Sequence, residues 1–205
     1  MFSDGLIIRL NPRSSGSCQF ISVSDQLAAV CGRNINQSDI RQQCVEYLWE
    51  HPTFIDDQTH FSQFIDNKHC WQQYLENMRK PTTYGDNITL QVMSKLLNVQ
   101  FLVVSKKYNE DRFHVITPSP EFDQCIPLLL LGHYDERQSA HYVSLSVCPN
   151  SKLATLINSS IPDISVRNKI ADSLGIDLKH AVMYSHHLNR SQVNLIKTLF
   201  VVQRK

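Results

Sequence analysis

Apolar residues recur at helical spacing through the first half of the chain and change to a strand-like period after residue 98. Leu6-Ile7-Ile8-Arg9-Leu10 predicts a short strand, ended by Asn11-Pro12. Phe20, Val23, Leu27 and Val30 then mark a helix that begins near Cys18 and closes near Cys31-Gly32, with Ser24, Asp25 and Gln26 between the apolar positions. Ser38 is a suitable N-cap for a second helix carrying Ile40, Cys44, Val45, Leu48 and Trp49, stopped by His51-Pro52. His60 to Met78 reads as one helix or two short ones. Asp86 or Asn87 opens another, whose buried stripe is Leu90, Met93, Leu96 and Leu97.

Four strands follow: Val99 to Val104, Arg112 to Ile116, Ile126 to Leu131 and Tyr142 to Val147. Gly132 to Ala140 reads as a polar connector, with His141 at the start of the strand beyond it. Helices first and clustered strands after predict an α/β (α+β) fold, a small central sheet flanked by helices. Past Pro149 the pattern changes again. Val166 to Leu174 and Val193 to Val202 look helical, so 1–149 is expected to form one domain and 150–205 a C-terminal helical extension or part of a second domain. His180, His186 and His187 lie between those two helices without a cysteine or carboxylate at ligand spacing, and read as a solvated connector rather than a metal site.

Composition narrows the classes. A chain of 205 residues with 42% hydrophobic content can bury a sizeable core. A net charge of +1 with no long basic block gives no reason to expect a nucleic-acid partner. No apolar run reaches membrane-spanning length and the N-terminus has no signal-peptide charge pattern, so the expectation is an intracellular, cytoplasmic monomer. The six cysteines are dispersed without a C-x-x-C pair, which favours reduced thiols over a zinc site or a disulfide framework, and no cofactor is implied.

The stretch Ser14-Ser15-Gly16-Ser17-Cys18 places a cysteine in the first turn of a helix. The helix dipole and the unpartnered first-turn amides there favour a thiolate, and the small residues let backbone N–H groups turn inward to hold an oxyanion. Such a nucleophile needs a base, normally an imidazole. His141 in Ser139-Ala140-His141-Tyr142 and His133 in Gly132-His133-Tyr134-Asp135 compete almost equally on these grounds. Asp86 reads as a helix cap and Tyr142 as a packing residue.

Three blocks in order resemble the ovarian-tumour (OTU) family of cysteine proteases, which remove ubiquitin from proteins. Ser15-Gly16-Ser17-Cys18-Gln19-Phe20 is similar to the family's Asp-Gly-x-Cys block, Tyr84-Gly85-Asp86 to its Gly-Asp step opening a helix, and His141-Tyr142 to its late His-aromatic pair. The resemblance spans roughly residues 5 to 148. It implies the OTU-like fold, Cys18 as nucleophile, His141 as general base, and an oxyanion hole from the backbone of Ser15, Gly16, Ser17 and Cys18. It also implies ubiquitin, polyubiquitin or a ubiquitin-like modifier as partner, with its tail in a channel flanked by the Gly132–Ala140 loop and the His141 strand. The family's aspartate is Ser15 here, and the position two after the histidine is Val143. Asn11 and Asp135 stand as substitutes for the missing orienting residue. The alternative is a catalytically inactive ubiquitin-binding or scaffold module, because His141 lacks an evident partner in the sequence.

Overall fold

The computed structural model describes residues 5–54, 59–65, 70–107, 110–118, 126–136, 139–148 and 187–188. Its elements run β1 (Leu6–Leu10), α1 (Cys18–Cys31), α2 (Gln37–Glu50), a 3₁₀ turn (Phe61–Phe64), α3 (Trp71–Met78), α4 (Asn87–Leu97), β2 (Gln100–Lys107), β3 (Glu110–Ile116), β4 (Ile126–Glu136), β5 (Ser139–Val147) and β6 (His187–Leu188). The sheet order is β1-β5-β4-β2-β3, with β6 also on β4. Among the described strands the β2–β4 pair is parallel, and β1–β5, β4–β5, β2–β3 and β4–β6 are antiparallel.

The central strands are apolar because they are covered. Leu128, Leu129, Leu130 and Leu131 are all buried, as expected of a strand flanked on both faces. Helix α1 lies against β4 and β5 and buries Phe20, Val23 and Leu27 completely. Each such side chain contributes about 1.5–3 kcal/mol of burial.

The ends of the helices are chemically marked. Gly32 takes the left-handed conformation (φ 64°) that closes α1, and its N–H returns to Leu27 O. Asp86 and Thr89 form a reciprocal capping box on α4. Helix α2 begins two residues earlier than the sequence predicts: Asn36 is the cap, its Oδ1 accepting from both the backbone N–H and the hydroxyl of Ser38 at 3.0 Å.

Other expectations need correction. Of the supposed Gly132–Ala140 connector, residues 132–136 and 139–140 are strand: β4 and β5 pair from Leu131↔Ser144 out to Glu136↔Ser139, so His133 sits within β4 and His141 is the third residue of β5. Trp49 and Leu96 are partly exposed, because the buried stripes of their helices are centred on Cys44–Leu48 and on Leu90–Met93–Leu97. Gln26, which lies between the apolar positions of α1, is buried. His187 and Leu188 pair with Pro127 and Ile126, so this part of the histidine-bearing segment is strand and not a free connector. The helices expected over Val166–Leu174 and Val193–Val202 lie outside the described residues.

Candidate active site

Cys18 is the first residue of α1, and no side chain caps that end, so first-turn amides are left for the cysteine itself. The sulfur accepts a hydrogen bond from Tyr142 N at 3.5 Å. Amides of Gln19, Cys18 and Ser15 also act on it, all favouring the thiolate. Burial outweighs them: Cys18 is fully covered, and desolvation pushes its thiol above the ordinary value. The first-turn amides favour the thiolate as the sequence predicts, and burial acts against them with the larger effect.

His141 supplies a base of defined orientation. Its Nε2 meets Asn11 Oδ1 at 2.8 Å. An amide oxygen only accepts, so in the neutral ring Nε2 carries the hydrogen and Nδ1 the lone pair. Nδ1 is buried and has no hydrogen-bond partner. The residue after His141 is the one whose amide reaches the Cys18 sulfur, which brings the two sequence-predicted groups into one site. Of the candidates for the orienting residue, Asn11 is at the imidazole; the Asp135 side chain lies outside the described residues.

His133 does not compete for this place. Its ring packs on Tyr142 at 4.6 Å between centroids, and its Nδ1 is 3.3 Å from Ser105 Oγ.

The loop before Cys18 is braced from behind. Ser15 O accepts from Cys18 N at 3.1 Å. Gly16 packs so closely on the Thr82–Thr83 backbone that a Cβ would lie 2.1 Å from Thr82 C. Ser17 turns its hydroxyl away, donating to Pro81 O at 3.0 Å. The amides of Ser15 and Cys18 act on the sulfur, and the close packing of Gly16 and the Ser17 hydroxyl hold the loop in place.

Several contributors were not legible as site residues. Gln19 is fully buried; its Nε2 donates to Asp86 O at 3.0 Å and its Oε1 accepts from Thr89 Oγ1 at 2.7 Å, tying the nucleophile turn to the cap of α4. Ser22 Oγ donates to Tyr142 O at 3.3 Å. Gln26 spans the divergence of β4 and β5, donating to Leu145 O and Ser144 Oγ at 2.7 Å and accepting from Leu130 N at 2.8 Å. Ser22 and Gln26 thereby tie α1 to β4 and β5. The available signal was spacing: Gln19, Ser22, Gln26 fall at helical intervals alongside Phe20, Val23 and Leu27.

Tyr142 also lines a cleft of about 720 Å³, with Phe54, Phe64, Asp86, Ser105 and His133 among its walls. Asp86 is tied down there by Tyr74 Oη, at 3.0 Å from Oδ2. Its burial raises the carboxyl above the usual carboxylate range.

A cysteine at a helix start, an imidazole oriented by an amide and a polar brace between them match a known pattern. The OTU-like cysteine protease model matches residues 13–142. The chain belongs to the OTU-like cysteine protease family. Among OTU relatives, the Arabidopsis thaliana ovarian-tumour-domain deubiquitinating enzyme 6 is 31% identical over 144 residues, covering 70% of this chain and 25% of that protein. Protein 232R of Invertebrate iridescent virus 3, named as a candidate ubiquitin thioesterase, is 31% identical over 132 residues, covering 63% of this chain and 15% of that one. The chain therefore spans a quarter or less of the length of these two relatives. The fold is similar to that of an OTU deubiquitinase from Wolbachia pipientis solved with ubiquitin bound, at TM-score 0.52, 15% identity, and 72% and 99% coverage of the two chains. Among the described residues of this OTU chain, no helix is long and apolar enough to cross a membrane.

Proposed function

We propose that this chain is a deubiquitinating cysteine protease that hydrolyses the isopeptide bond after the C-terminal glycine of ubiquitin. The observation that carries the reading is His141 held through Nε2 by Asn11, with Nδ1 unpartnered and the next amide on the Cys18 sulfur. Family membership and the deubiquitinating names of its relatives supply the substrate class.

In this cycle His141 Nδ1 takes the Cys18 proton as substrate binds, and the thiolate attacks the carbonyl carbon of the terminal glycine. Backbone N–H groups of the Ser15–Cys18 turn receive the oxyanion. Nδ1 returns the proton to the lysine nitrogen as the carbon–nitrogen bond breaks, leaving a thioester. Water then gives a proton to His141 and adds to the thioester carbon; the carbon–sulfur bond breaks and the thiol is reprotonated. Asn11 holds the ring throughout but, being neutral, adds no countercharge to the imidazolium. The paired ends of β4 and β5 beside His141 are assigned as the flank of the path of the ubiquitin tail.

The protease unit is assigned to residues 1–149, because β1 pairs with β5 and Cys148 N reaches Gly5 O at 2.6 Å. Residues 150–205 are an extension that returns to the sheet at β6. Among the described residues Cys31, Cys44 and Cys70 are free thiols, which fits a reducing intracellular compartment.

The test is incubation with ubiquitin bearing a thiol-reactive group at its C-terminus, read by intact mass on wild type, Cys18→Ala and His141→Ala. A ubiquitin-sized adduct on wild type, absent from Cys18→Ala and strongly slowed in His141→Ala, is expected. An adduct that persists on Cys18→Ala would overturn the assignment.

A further inference from the structure

A buried cation stands behind the nucleophile loop, and among the described residues no carboxylate is paired with it. Arg41 lies on α2 at positions that should be apolar: with Cys44, Val45 and Leu48 it forms the inward stripe of that helix. It is 4% exposed. Its Nη2 donates to Gly16 O at 2.7 Å and to Ser17 Oγ at 3.3 Å, and its Nη1 donates to Met78 O at 2.9 Å. The guanidinium plane lies over the Phe20 ring, 4.1 Å from its centroid. The side chain thus grips the chain two and one residues before Cys18 and stacks on the residue two after it.

Carbonyl oxygens can be satisfied by neutral donors, so these bonds do not require a charge. Burying an unpaired cation is costly unless something answers it. Desolvation lowers the proton affinity of Arg41, and the groups acting in the opposite direction are the thiols of Cys44 and Cys18. A guanidinium nevertheless stays charged in proteins. Cys44 is a poor counter-ion, since nearly complete burial pushes its thiol far up. Cys18 is the thiol whose sulfur also receives backbone N–H groups.

We propose that Arg41 is a positioning residue whose buried charge is matched by the Cys18 thiolate during turnover, while its fork holds Gly16 and Ser17 in the shape the oxyanion requires. This rests on Cys18 being the nucleophile. In effect the cation behind the loop does from one side what the neutral Asn11–His141 pair cannot do from the other: it supplies charge. Around Cys18 the ionisable groups are Arg41 and Cys44 of α2, and His141 and Tyr142 of β5, with Asp86 of the α4 cap acting on Tyr142.

The test follows the pH dependence of Cys18 alkylation by iodoacetamide, quantified by mass on the Cys18 peptide so that the other thiols do not contribute. Wild type, Arg41→Lys, Arg41→Gln and Arg41→Met are compared, each with a thermal melt as a check of folding. Lysine keeps the charge, glutamine keeps a donor without charge, and methionine fills the space with neither. The expected result is an alkylation midpoint raised by about one unit or more in Arg41→Gln and Arg41→Met, and largely restored in Arg41→Lys. A midpoint unchanged in either folded neutral variant would overturn the proposal, as would a rise of equal size in Arg41→Lys. Failure of the underlying assignment is separate: it would appear as adduct formation with the ubiquitin probe that does not depend on Cys18.

Discussion

Asn11 and His141 are 130 positions apart in sequence and meet through one hydrogen bond of 2.8 Å. That bond selects the imidazole tautomer with its lone pair on the buried Nδ1. When the ring is protonated in the cycle, the same bond becomes charge-assisted, worth about 1.5–3 kcal/mol. Asn11→Ala is expected to lower kcat/KM on a ubiquitin–fluorophore conjugate by roughly 10- to 100-fold without a matching loss of thermal stability. Asn11→Asp retains an acceptor and should keep most of the activity. Wild-type rates in Asn11→Ala would show that the ring is oriented by something else.

Gly16 makes the loop possible by having no side chain. A Cβ there would sit 2.1 Å from Thr82 C and 2.5 Å from Thr83 N, and both are backbone atoms with little freedom to give way. Gly16→Ala should therefore move the loop, breaking the Arg41–Gly16 bond and displacing the amides around Cys18. The expected outcome is a loss of probe labelling of about 100-fold or more, since removing one oxyanion donor alone costs roughly that much. Labelling within a few-fold of wild type would mean the loop adjusts without cost.

Much of this arrangement could be read from residues in order. The strand Leu6–Leu10, the helix starting at Cys18, the Asp86 cap and the apolar strand at Ile126–Leu131 announce themselves by period and punctuation, because local spacing decides them. Asn11 could be named only as a candidate, since its partner is brought to it by β1–β5 pairing. Gln26 and Arg41 were passed over for a similar reason. A polar residue on an inward stripe has no meaning until the carbonyls, amides and thiols it faces are in place. The β4–β5 hairpin was hidden because Gly132 to Ala140 is polar, and polar strands at a sheet end look like loops. The sign of the Cys18 shift was missed because helix-end electrostatics is local, whereas desolvation depends on everything packed around the sulfur.

Asp86 offers a test of structural against chemical roles. Its carboxylate accepts from Thr89 N and from Tyr74 Oη, and burial raises its proton affinity, so the charge is a burden on the fold at neutral pH. Asn accepts the same two bonds through one oxygen and is an equally good cap. Asp86→Asn is expected to leave the melting temperature unchanged or higher and to keep activity. Asp86→Ala loses the cap and strands the Tyr74 hydroxyl, costing about 1–3 kcal/mol. A large activity loss in a fully stable Asp86→Asn variant would instead point to a chemical role.

Alkaline stability should report the buried thiols. Cys18, Cys31 and Cys44 all have proton affinities raised by burial above the ordinary value of 9.0. As pH rises through that value the unfolded chain loses these protons while the folded chain retains them. The native state then binds more protons than the unfolded state, so stability is intact below about pH 9 and declines above it. Cys44, fully buried, removes about 1.4 kcal/mol for each further pH unit. Tyr142, pushed up from 10.0 to about 12, and Tyr74, raised further by burial and by Asp86, add to the decline above pH 10, so the window for the thiols lies between about pH 9 and pH 10. Chemical denaturation across that window should show falling stability in wild type. Cys44→Ala should begin lower, through the lost volume, and fall less steeply. Parallel slopes in the two proteins would mean that Cys44 ionises as readily in the fold as in the open chain, and the account of its burial would fail.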